Sequence, residues 1–282
     1  MGTLENKGFE FVLNTQNLVG KFKWSTSFNI AFNKGRVVNI LGQVIEGGIS
    51  SMNRVMEGQP VGVFYTVEWA GVNPANGDAQ FYKNTVGSNG ELDKTKLAPG
   101  QYNQAQRIVA GDPNPDYIYG ITNNFSYKGF DLSVFLNGVA GNQINIYGMG
   151  RYSSASFRFE DNQTVDQLRA WTKPGDVTDI PQARFYFNNG AQVSSRYIVD
   201  GSFLRVRTIT LGYNLPTQFL RKYKVDRIRL YASALNLFTF TKYPYWDPEV
   251  NADSFDSNIA KGNDFYTPPQ PKTIMFGINV GF

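Results

Sequence analysis

The strictest pattern in this chain is an alternation of apolar and polar residues with a period of two. It is clearest in "KFKWSTSFNIAFNK", residues 21–34, where one face would carry Phe22, Trp24, Thr26, Phe28, Ile30 and Phe32. This run covers fourteen residues, whereas strands of globular proteins usually have about 5–6. A period of two sustained over this length predicts a long β-strand with one apolar face.

The chain ends on the same pattern, in "TIMFGINVGF". One face would carry Ile274, Phe276, Ile278, Val280 and Phe282. Termini usually fray, so an alternating strand that ends on an aromatic residue needs a reason. On a membrane barrel, apolar side chains face lipid while small or polar ones face the lumen. The last strand must also be paired, because lipid cannot satisfy an open sheet edge.

The lengths of the connections support this interpretation. About nine antiparallel strands are expected, including residues 62–72 and a short strand at 78–84. Short links (15–20, 73–77, 128–129, 216–226) alternate with long ones (37–60, 85–119, 138–198, 242–271). Long structureless loops are uncommon in compact soluble domains, but outer-membrane barrels combine short periplasmic turns with long outer loops. The sequence therefore predicts an all-β fold, an antiparallel transmembrane β-barrel segment.

Two local irregularities are also predicted. The apolar phase of "SFLRVRTITLGYNLP" slips in its middle, which indicates a β-bulge near Arg207 and Thr208. In the long loop, Val165, Leu168 and Trp171 have helical spacing before a Pro-Gly stop, so a short helix is expected there. Trp171 is interpreted as a loop-packing residue. Thr26, on the lipid face, is tolerable if its hydroxyl bonds within the sheet.

Composition excludes several classes of function. The chain has no cysteine and no histidine, which removes disulfides, thiolate sites, the commonest general base and the commonest metal ligand. Its 27 Lys and Arg against 23 Asp and Glu are scattered, so nucleic-acid binding is not expected. The sequence has no apolar run long enough for a transmembrane helix and no recognisable signal peptide. We therefore expect either a cytosolic protein or a fragment whose N-terminal part is missing. We assign no catalytic, cofactor or metal residue.

Three stretches resemble the C-terminal third of the SusC/RagA family of TonB-dependent outer-membrane transporters. They are "GDPNPDYIYGITNNFSYKGFDLSVFLNGVAGN" (111–142), "DGSFLRVRTITLGYNLP" (200–216) and "RLYASALNLFTFTKYPYWDPEVN" (229–251). Near the start, "NKGFEFVLNTQN" (6–17) is similar to the family's mid-barrel hairpin. The resemblance spans nearly the whole chain, in the family's order.

This resemblance implies a 22-stranded barrel around an N-terminal plug, of which residues 1–282 would be the last nine strands or so. It implies a SusD-like surface lipoprotein, energy from the TonB–ExbB–ExbD complex, and uptake of oligosaccharides or peptides across the cell outer membrane. The terminal residues Phe276, Ile278, Val280 and Phe282 would form the signal that barrel-assembly machinery reads. The plug, TonB box and signal peptide are missing, so we expect a fragment that forms no stable pore alone.

The outer loops hold the candidate contact residues. In "DPEVNADSFD", Asp247, Glu249, Asn251 and Asp253 recur at every second residue, as in the first half of a calcium loop. Ala252 and Asn258 break that motif, so a loop-bracing carboxylate cluster is favoured over calcium.

Aromatic residues accompany this carboxylate cluster in the same long outer loop, residues 242–271. With Asp247 and Glu249, the possible cargo or lid contacts are Tyr243, Tyr245, Trp246, Phe265 and Tyr266. The aromatics among them could instead form an interfacial girdle or pack the loops.

Two other functions are weighed against the transporter interpretation. One is a soluble β-sandwich that binds carbohydrate through exposed aromatic residues, with one face of each sheet packed inside. The other is a carboxylate-based glycosidase, although no acid/base pair stands out in the sequence. Packing of the alternating Phe and Ile side chains against one another in a dry core would exclude the transporter.

Overall fold

The computed structural model describes residues 2–153, 155, 162–184, 187–220, 225–252 and 258–282. In chain order its strands are β1 (Thr3–Val19), β2 (Phe22–Asn39), β3 (Ile45–Gly47), β4 (Asn53–Val55), β5 (Val63–Val67), β6 (Trp69–Val72), β7 (Ala79–Tyr82), β8 (Lys96–Leu97), β9 (Arg107–Gly111), β10 (Tyr117–Tyr127), β11 (Phe130–Ala140), β12 (Gln143–Ile146), β13 (Ile198–Asp200), β14 (Phe203–Asn214), β15 (Arg227–Thr241), β16 (Asn263–Asp264) and β17 (Thr273–Gly281).

Helices are short. Among the residues that the structure describes, four are 3₁₀ turns (Ile49–Ser51, Pro99–Gln104, Val165–Arg169, Ser195–Tyr197), one is a π turn (Tyr147–Tyr152), and α1 spans Thr217–Leu220. In the described ranges, none of these helices has the length and apolar character needed to cross a membrane.

Seven long strands form one antiparallel sheet in the order β1-β2-β10-β11-β14-β15-β17. Each strand pairs with the next long strand along the chain, so the sheet is a simple meander. The predicted antiparallel barrel wall is therefore confirmed in architecture. The first hairpin is longer than predicted, because β1 continues through residues 15–19, which the sequence suggested were a link.

The predicted number of nine wall strands is wrong, because two of the expected strands lie outside the wall. Residues 62–72 and 78–84 form parts of β5, β6 and β7, which belong to small separate sheets. Their alternation comes from burying apolar side chains within the connections. The turn at residues 73–77 joins β6 to β7, so it is not one of the wall's short turns.

The two predicted strands that lie outside the wall are consecutive. Removing both leaves the predicted direction of every remaining wall strand unchanged. The wall's short turns are residues 20–21, 128–129 and 215–226, and its long connections are residues 40–116, 141–202 and 242–272. In an antiparallel meander, all short turns lie at one end and all long connections at the other. The predicted alternation of short and long links therefore holds for the seven strands.

The apolar face of the wall is exposed. Side chains opposite one another continue this face across all seven strands, from Phe11 on β1 to Ile274 on β17. Phe276 on the last strand is 82% exposed, and Phe282 directly after it is 88% exposed. A β-sandwich would cover this face with a second sheet. No such cover exists in the described ranges, so the soluble sandwich is not supported.

Polar groups on the exposed apolar face satisfy one another. The Thr26 hydroxyl donates to Asn123 Oδ1 at 2.7 Å, and the Trp24 indole N–H donates to the same oxygen at 2.9 Å. Asn17, at a register shift in β1, donates to the Thr26 hydroxyl at 2.7 Å. This confirms that the Thr26 hydroxyl bonds within the sheet, which lowers the cost of placing it against an apolar medium.

Of the two predicted local irregularities, the bulge is present as expected and the helix is reduced to one 3₁₀ turn. The pairing of β14 skips Arg207 on both sides, since Val206 and Thr208 each have partners on β11 and β15 while Arg207 has none. This is the predicted bulge. A single 3₁₀ turn at Val165–Arg169 takes the place of the predicted short helix, and Trp171 behind it is buried.

Candidate functional site

The three long connections fold into a layer at one end of the wall. Residues 40–116 supply two small sheets, β3-β4-β5-β9 and β6-β7-β8. A third small sheet combines connections, since β12 and β13 come from residues 141–202 while β16 comes from residues 242–272. We call this set of packed connections the connection layer. It contains all the candidate contact residues of the outer loops.

A chain of buried asparagine amides joins the three connections. Asn145 Nδ2 donates to Asn263 Oδ1 at 2.8 Å, and Asn263 Nδ2 donates to Asn53 Oδ1 at 2.8 Å. Asn53 Nδ2 in turn donates to the backbone carbonyls of Gly62 and Lys261 at 2.9 Å. All three asparagines are fully buried. Buried amides of this kind are costly to leave unpaired, so they fix how the connections meet.

Gly48 allows the amide chain to form. A Cβ atom at this position would lie 2.0 Å from Asn53 Oδ1, and the backbone there has φ of +72°. Only glycine adopts this conformation without strain and leaves space for the amide. The sequence offered no signal for these asparagines, since each is an isolated residue in a different connection.

Apolar side chains and a tryptophan N–H group also join the connections. Ile144, Ile146, Tyr197 and Tyr243 form one buried cluster drawn from the second and third connections. The Trp171 indole N–H donates to the Pro74 carbonyl at 3.0 Å, which links the second connection to the first. The loop-packing role predicted for Trp171 is thereby confirmed.

The carboxylates of the "DPE" stretch contact two arginines of strand β14. Asp247 accepts a hydrogen bond from Arg205 Nη2, and the Arg205 side chain is only 1% exposed. Glu249 accepts two hydrogen bonds from Arg207 Nη2, at 2.7 and 2.9 Å. Arg207 is the bulged residue, so the bulge aims its guanidinium at this loop. The two ion pairs hold the third connection against the wall.

Burial would by itself raise the pKa of Asp247. Hydrogen bonds from Arg205 and from the backbone N–H groups of Glu249 and Gln270 outweigh it and hold this pKa below its ordinary value. Asp247 is therefore ionised at neutral pH and accepts hydrogen bonds from three donors of the protein itself. This is the geometry of a loop-bracing carboxylate. Asp253 lies outside the described residues, and the described ranges contain no group of three carboxylates placed to hold a metal ion.

The aromatic residues predicted to contact cargo or a lid lie in different environments. Tyr243 is buried, and its hydroxyl donates to the Asp264 carboxylate; burial and this hydrogen bond raise the pKa of Tyr243. The Tyr266 hydroxyl lies 2.5 Å from Ser153 Oγ, and Phe265 contacts the rings of Tyr147 and Tyr152. Trp246 is 55% exposed. Their role as cargo or lid contacts remains a prediction.

A cavity of about 360 Å³ lies where the three connections meet. It is lined by Trp69 from the first, by Asp166, Arg169, Asp179 and Arg196 from the second, and by Tyr245 from the third. Arg169 pairs with Asp166 at 3.2 Å and with Asp179 at 3.0 Å. The Arg196 guanidinium lies over the Trp69 ring, 5.1 Å from its centroid. The cavity thus offers aromatic surface and balanced charge, which suits binding and not covalent chemistry.

The terminal residues Phe276, Ile278, Val280 and Phe282 all lie on the exposed face of the wall or directly after it. Ile278 lies opposite Leu230, and Phe276 lies opposite Ala232. This is the placement expected for lipid-facing residues. Their recognition by assembly machinery remains a prediction.

Fold and exposure together define a segment of the wall of a transmembrane β-barrel with a folded layer of connections. No protein-family model matches the sequence. TonB-dependent receptor P3 of Formosa agariphila is 33% identical over the whole chain, and TonB-dependent receptor P26 of that organism is 30% identical. TonB-dependent receptor SusC of Bacteroides thetaiotaomicron is 25% identical, again over the whole chain.

Solved structures show the same fold. The RagAB peptide importer in the open-open state matches the whole chain with a TM-score of 0.81 at 23% identity, and in the closed-closed state with a TM-score of 0.80. The chain is therefore homologous along its full length to TonB-dependent receptors, SusC among them. It spans 29% of the length of the P3 and P26 receptors.

Proposed function

We propose that this chain is part of the barrel of a TonB-dependent, SusC-like importer in the cell outer membrane. In this role the wall separates lipid from an aqueous passage, while the connection layer contacts cargo or a lid. The chain itself carries no catalytic machinery in this proposal. The homologous proteins are named as receptors, and none of those names describes an enzyme.

The observation that carries the proposal is the exposed apolar face of the seven-stranded sheet. In water, an exposed apolar surface of this extent would drive aggregation. Against hydrocarbon it is stable, because the strands satisfy one another's backbone groups and the polar face turns away from lipid. The simple meander with long connections at one end is the topology that outer-membrane barrels use.

The partners are proposed by analogy with the homologues. A SusD-like surface lipoprotein is proposed as the lid over the connection layer. Energy would come from the TonB–ExbB–ExbD complex, acting through a part of the protein outside these residues. Barrel-assembly machinery would insert the strands. The lid is supported by the similarity in fold to the RagAB peptide importer.

The proposed cargo is an oligosaccharide or a peptide. Support for a peptide comes from the RagAB structures, which are named as a peptide importer. Support for an uncharged polar cargo comes from the cavity at Trp69 and Tyr245, where two carboxylates and two guanidinium groups balance in charge. Either cargo would use aromatic faces and hydrogen-bonding groups of this kind.

Cell fractionation of the full protein tests the proposal. We expect it in the outer-membrane fraction, and we expect the native barrel to migrate faster in gel electrophoresis than the heated protein. Uptake of the oligosaccharide or peptide cargo should be lost when the gene is deleted and restored when an intact copy of the gene is supplied. A protein that stays in the cytosolic fraction, or that is soluble without detergent, would refute the barrel and the importer together.

A further inference from the structure

The first hairpin extends past its neighbour at the end of the wall that carries the long connections. Strand β10 begins at Tyr117, which lies opposite Phe32, whereas β1 and β2 remain paired as far as Thr3 and Asn39. Beyond Tyr117, residues of the first connection take over the free edge of β2, because Val37 exchanges backbone hydrogen bonds with Gly58 and Gln59. The paired ends of β1 and β2 therefore project beyond the start of β10, and the first connection is hydrogen-bonded to their edge.

Three cations share the outer face of this extension. Lys7 lies opposite Lys34, and Glu5 lies opposite Arg36, directly after the apolar pair Phe9 and Phe32. Residues opposite one another point to the same side of a sheet, so these side chains continue the exposed apolar face. Like charges placed directly opposite are destabilising, and the Lys7–Lys34 pair is such a case.

Protein carboxylates relieve this charge only in part. Glu5 accepts from Lys7 at 2.5 Å. Within the described ranges, Lys34 and Arg36 take part in no ion pair. Asp116 also borders this region, but its carboxylate lies toward Gly141, on the β11 side of β10 and away from β2. Glu5 is therefore the carboxylate of this face, and it is engaged by Lys7, so an anion from outside the chain would gain the two cations Lys34 and Arg36.

These cations line a cleft of about 840 Å³ on the outer side of the hairpin. Its floor includes Phe9, Phe32 and Tyr117, and Gly58 and Pro60 of the first connection form its upper border. The Phe9 and Phe32 rings stack with centroids 4.7 Å apart, and Tyr117 contacts Phe32. The cleft thus has an aromatic lower part and a basic upper part.

The height of this cleft along the wall can be estimated from strand geometry. A second group of aromatic side chains, with Phe22, Phe125 and Tyr127 in contact, lies near the short turns. Phe22 and Phe32 are ten residues apart on β2. With a rise of about 3.4 Å per residue and a tilt of about 40–45°, they are separated by about 25 Å in height, the height of the apolar band of such barrels.

The Lys7–Lys34 pair lies one outward-facing pair beyond Phe9 and Phe32. The same geometry places it about 5 Å above the apolar band, which is the level of lipid headgroups. Aromatic residues mark the edge of the hydrocarbon, and long basic side chains next to them reach into the headgroup layer.

We propose that Lys7, Lys34 and Arg36 bind the phosphate of a lipid headgroup in the leaflet at the long-connection end of the wall. This inference rests on the proposed function, since it requires the outer face to contact lipid. A lipid fits better than a free anion, because its hydrocarbon chains would cover Phe9, which is largely exposed. Arg36 adds a planar donor fork that suits phosphate oxygens.

Native mass spectrometry of the full protein in detergent micelles tests the proposal, with phosphatidic acid as the probe and phosphatidylcholine as the uncharged comparison. The test variant is K7Q/K34Q/R36Q. The matched control, K21Q/K23Q/K128Q, removes the same number of charges at the short-turn end. We expect the test variant to bind phosphatidic acid more weakly by roughly fivefold for each cation removed. The control should bind like the unaltered protein, and phosphatidylcholine binding should not change.

Equal losses in both variants would overturn the proposal, because they would indicate attraction by overall charge. So would displacement of phosphatidic acid by millimolar inorganic phosphate, which would indicate a free-anion site. A heat-modifiable barrel is required of each variant before its binding is compared. A membrane-inserted barrel without this selectivity refutes the lipid site alone, whereas a protein that needs no detergent refutes the proposed function.

Discussion

Asn145 and Asn263 form a side-chain hydrogen bond of 2.8 Å across 118 residues of sequence. Both residues are fully buried, and Asn263 passes the contact on to Asn53. Long loops are usually the least ordered parts of a protein. Here, three of them share one buried polar network, so the connection layer is expected to open and close as a unit.

Replacing Asn263 with leucine tests that expectation. The change leaves Asn145 Nδ2 and Asn53 Oδ1 without their partner, and an unpaired buried amide costs about 1–3 kcal/mol. We expect faster hydrogen exchange in residues 40–116 and 141–202, not only around residue 263. The control is Asn33→Leu, at an exposed position on β2. Faster exchange confined to residues 242–272 would show that the connections are independent.

The buried ion pair of Arg205 and Asp247 should matter more than the exposed pair of Arg207 and Glu249. Arg205→Met leaves the Asp247 charge buried without its partner, which costs about 3–5 kcal/mol. Arg207→Gln removes a partly exposed pair, for which about 0–1 kcal/mol is typical. Thermal unfolding in detergent measures both. Adding Asp247→Asn to Arg205→Met should recover part of the loss; no recovery would mean that packing, and not charge, is responsible.

The connection layer should loosen in acid. The folded-state pKa of Asp247 is lowered, so its contribution is present above the unfolded pKa of about 3.9 and is lost as pH falls through the folded pKa. Glu57 and Asp176 also have lowered pKa values, because backbone N–H groups donate to them. Three of the four tryptophans lie in this layer, and the fourth is Trp24 on β2. In a Trp24→Phe variant, tryptophan fluorescence therefore reports on the connection layer alone.

The contribution of Asp247 to the pH dependence of stability is measured by comparing the unaltered protein with the Asp247→Asn variant. Between pH 5 and 7 the unaltered protein should be more stable than this variant, and the difference should shrink below about pH 4. A difference that stays constant down to pH 2 would contradict the assignment.

A new charge should destabilise the barrel on one face of β11 and be tolerated on the other. Val134 lies on the apolar face near the middle of the strand, and Ser133 lies on the other face. Val134→Lys places a charge against hydrocarbon at a cost of about 2–4 kcal/mol, whereas a lumen-facing lysine is tolerated. The amount of heat-modifiable protein in outer membranes measures the effect. Equal amounts for Val134→Lys and Ser133→Lys would exclude a lipid-facing sheet.

The 282-residue chain expressed alone should not form a closed pore. Strands β1 and β17 are the two edges of the seven-stranded sheet, and within the described ranges neither edge has a further partner. Lipid does not satisfy open edges. We therefore expect no stable conductance in planar bilayers and rapid digestion by protease. Stable single-channel currents from this chain would contradict the prediction.

The sequence determined the wall. Side chains alternate strictly along a strand, so a period of two reports which face each residue occupies before any partner is known. This was enough to predict the exposed face of β2 and β17, the bulge at Arg207 and the alternation of link lengths. It failed at residues 62–72 and 78–84, because a short alternating strand buried within a loop gives the same local pattern as a short piece of wall.

Only the tertiary structure decided the connection layer. Asn53, Asn145 and Asn263 lie in different connections, and no spacing in the sequence relates them. Likewise, the pairing of Lys7 with Lys34 depends on the register of the first hairpin, which the sequence left open. Contacts between residues far apart along the chain depend on how strands align and how loops pack, and these are set by the whole fold and not by local periodicity.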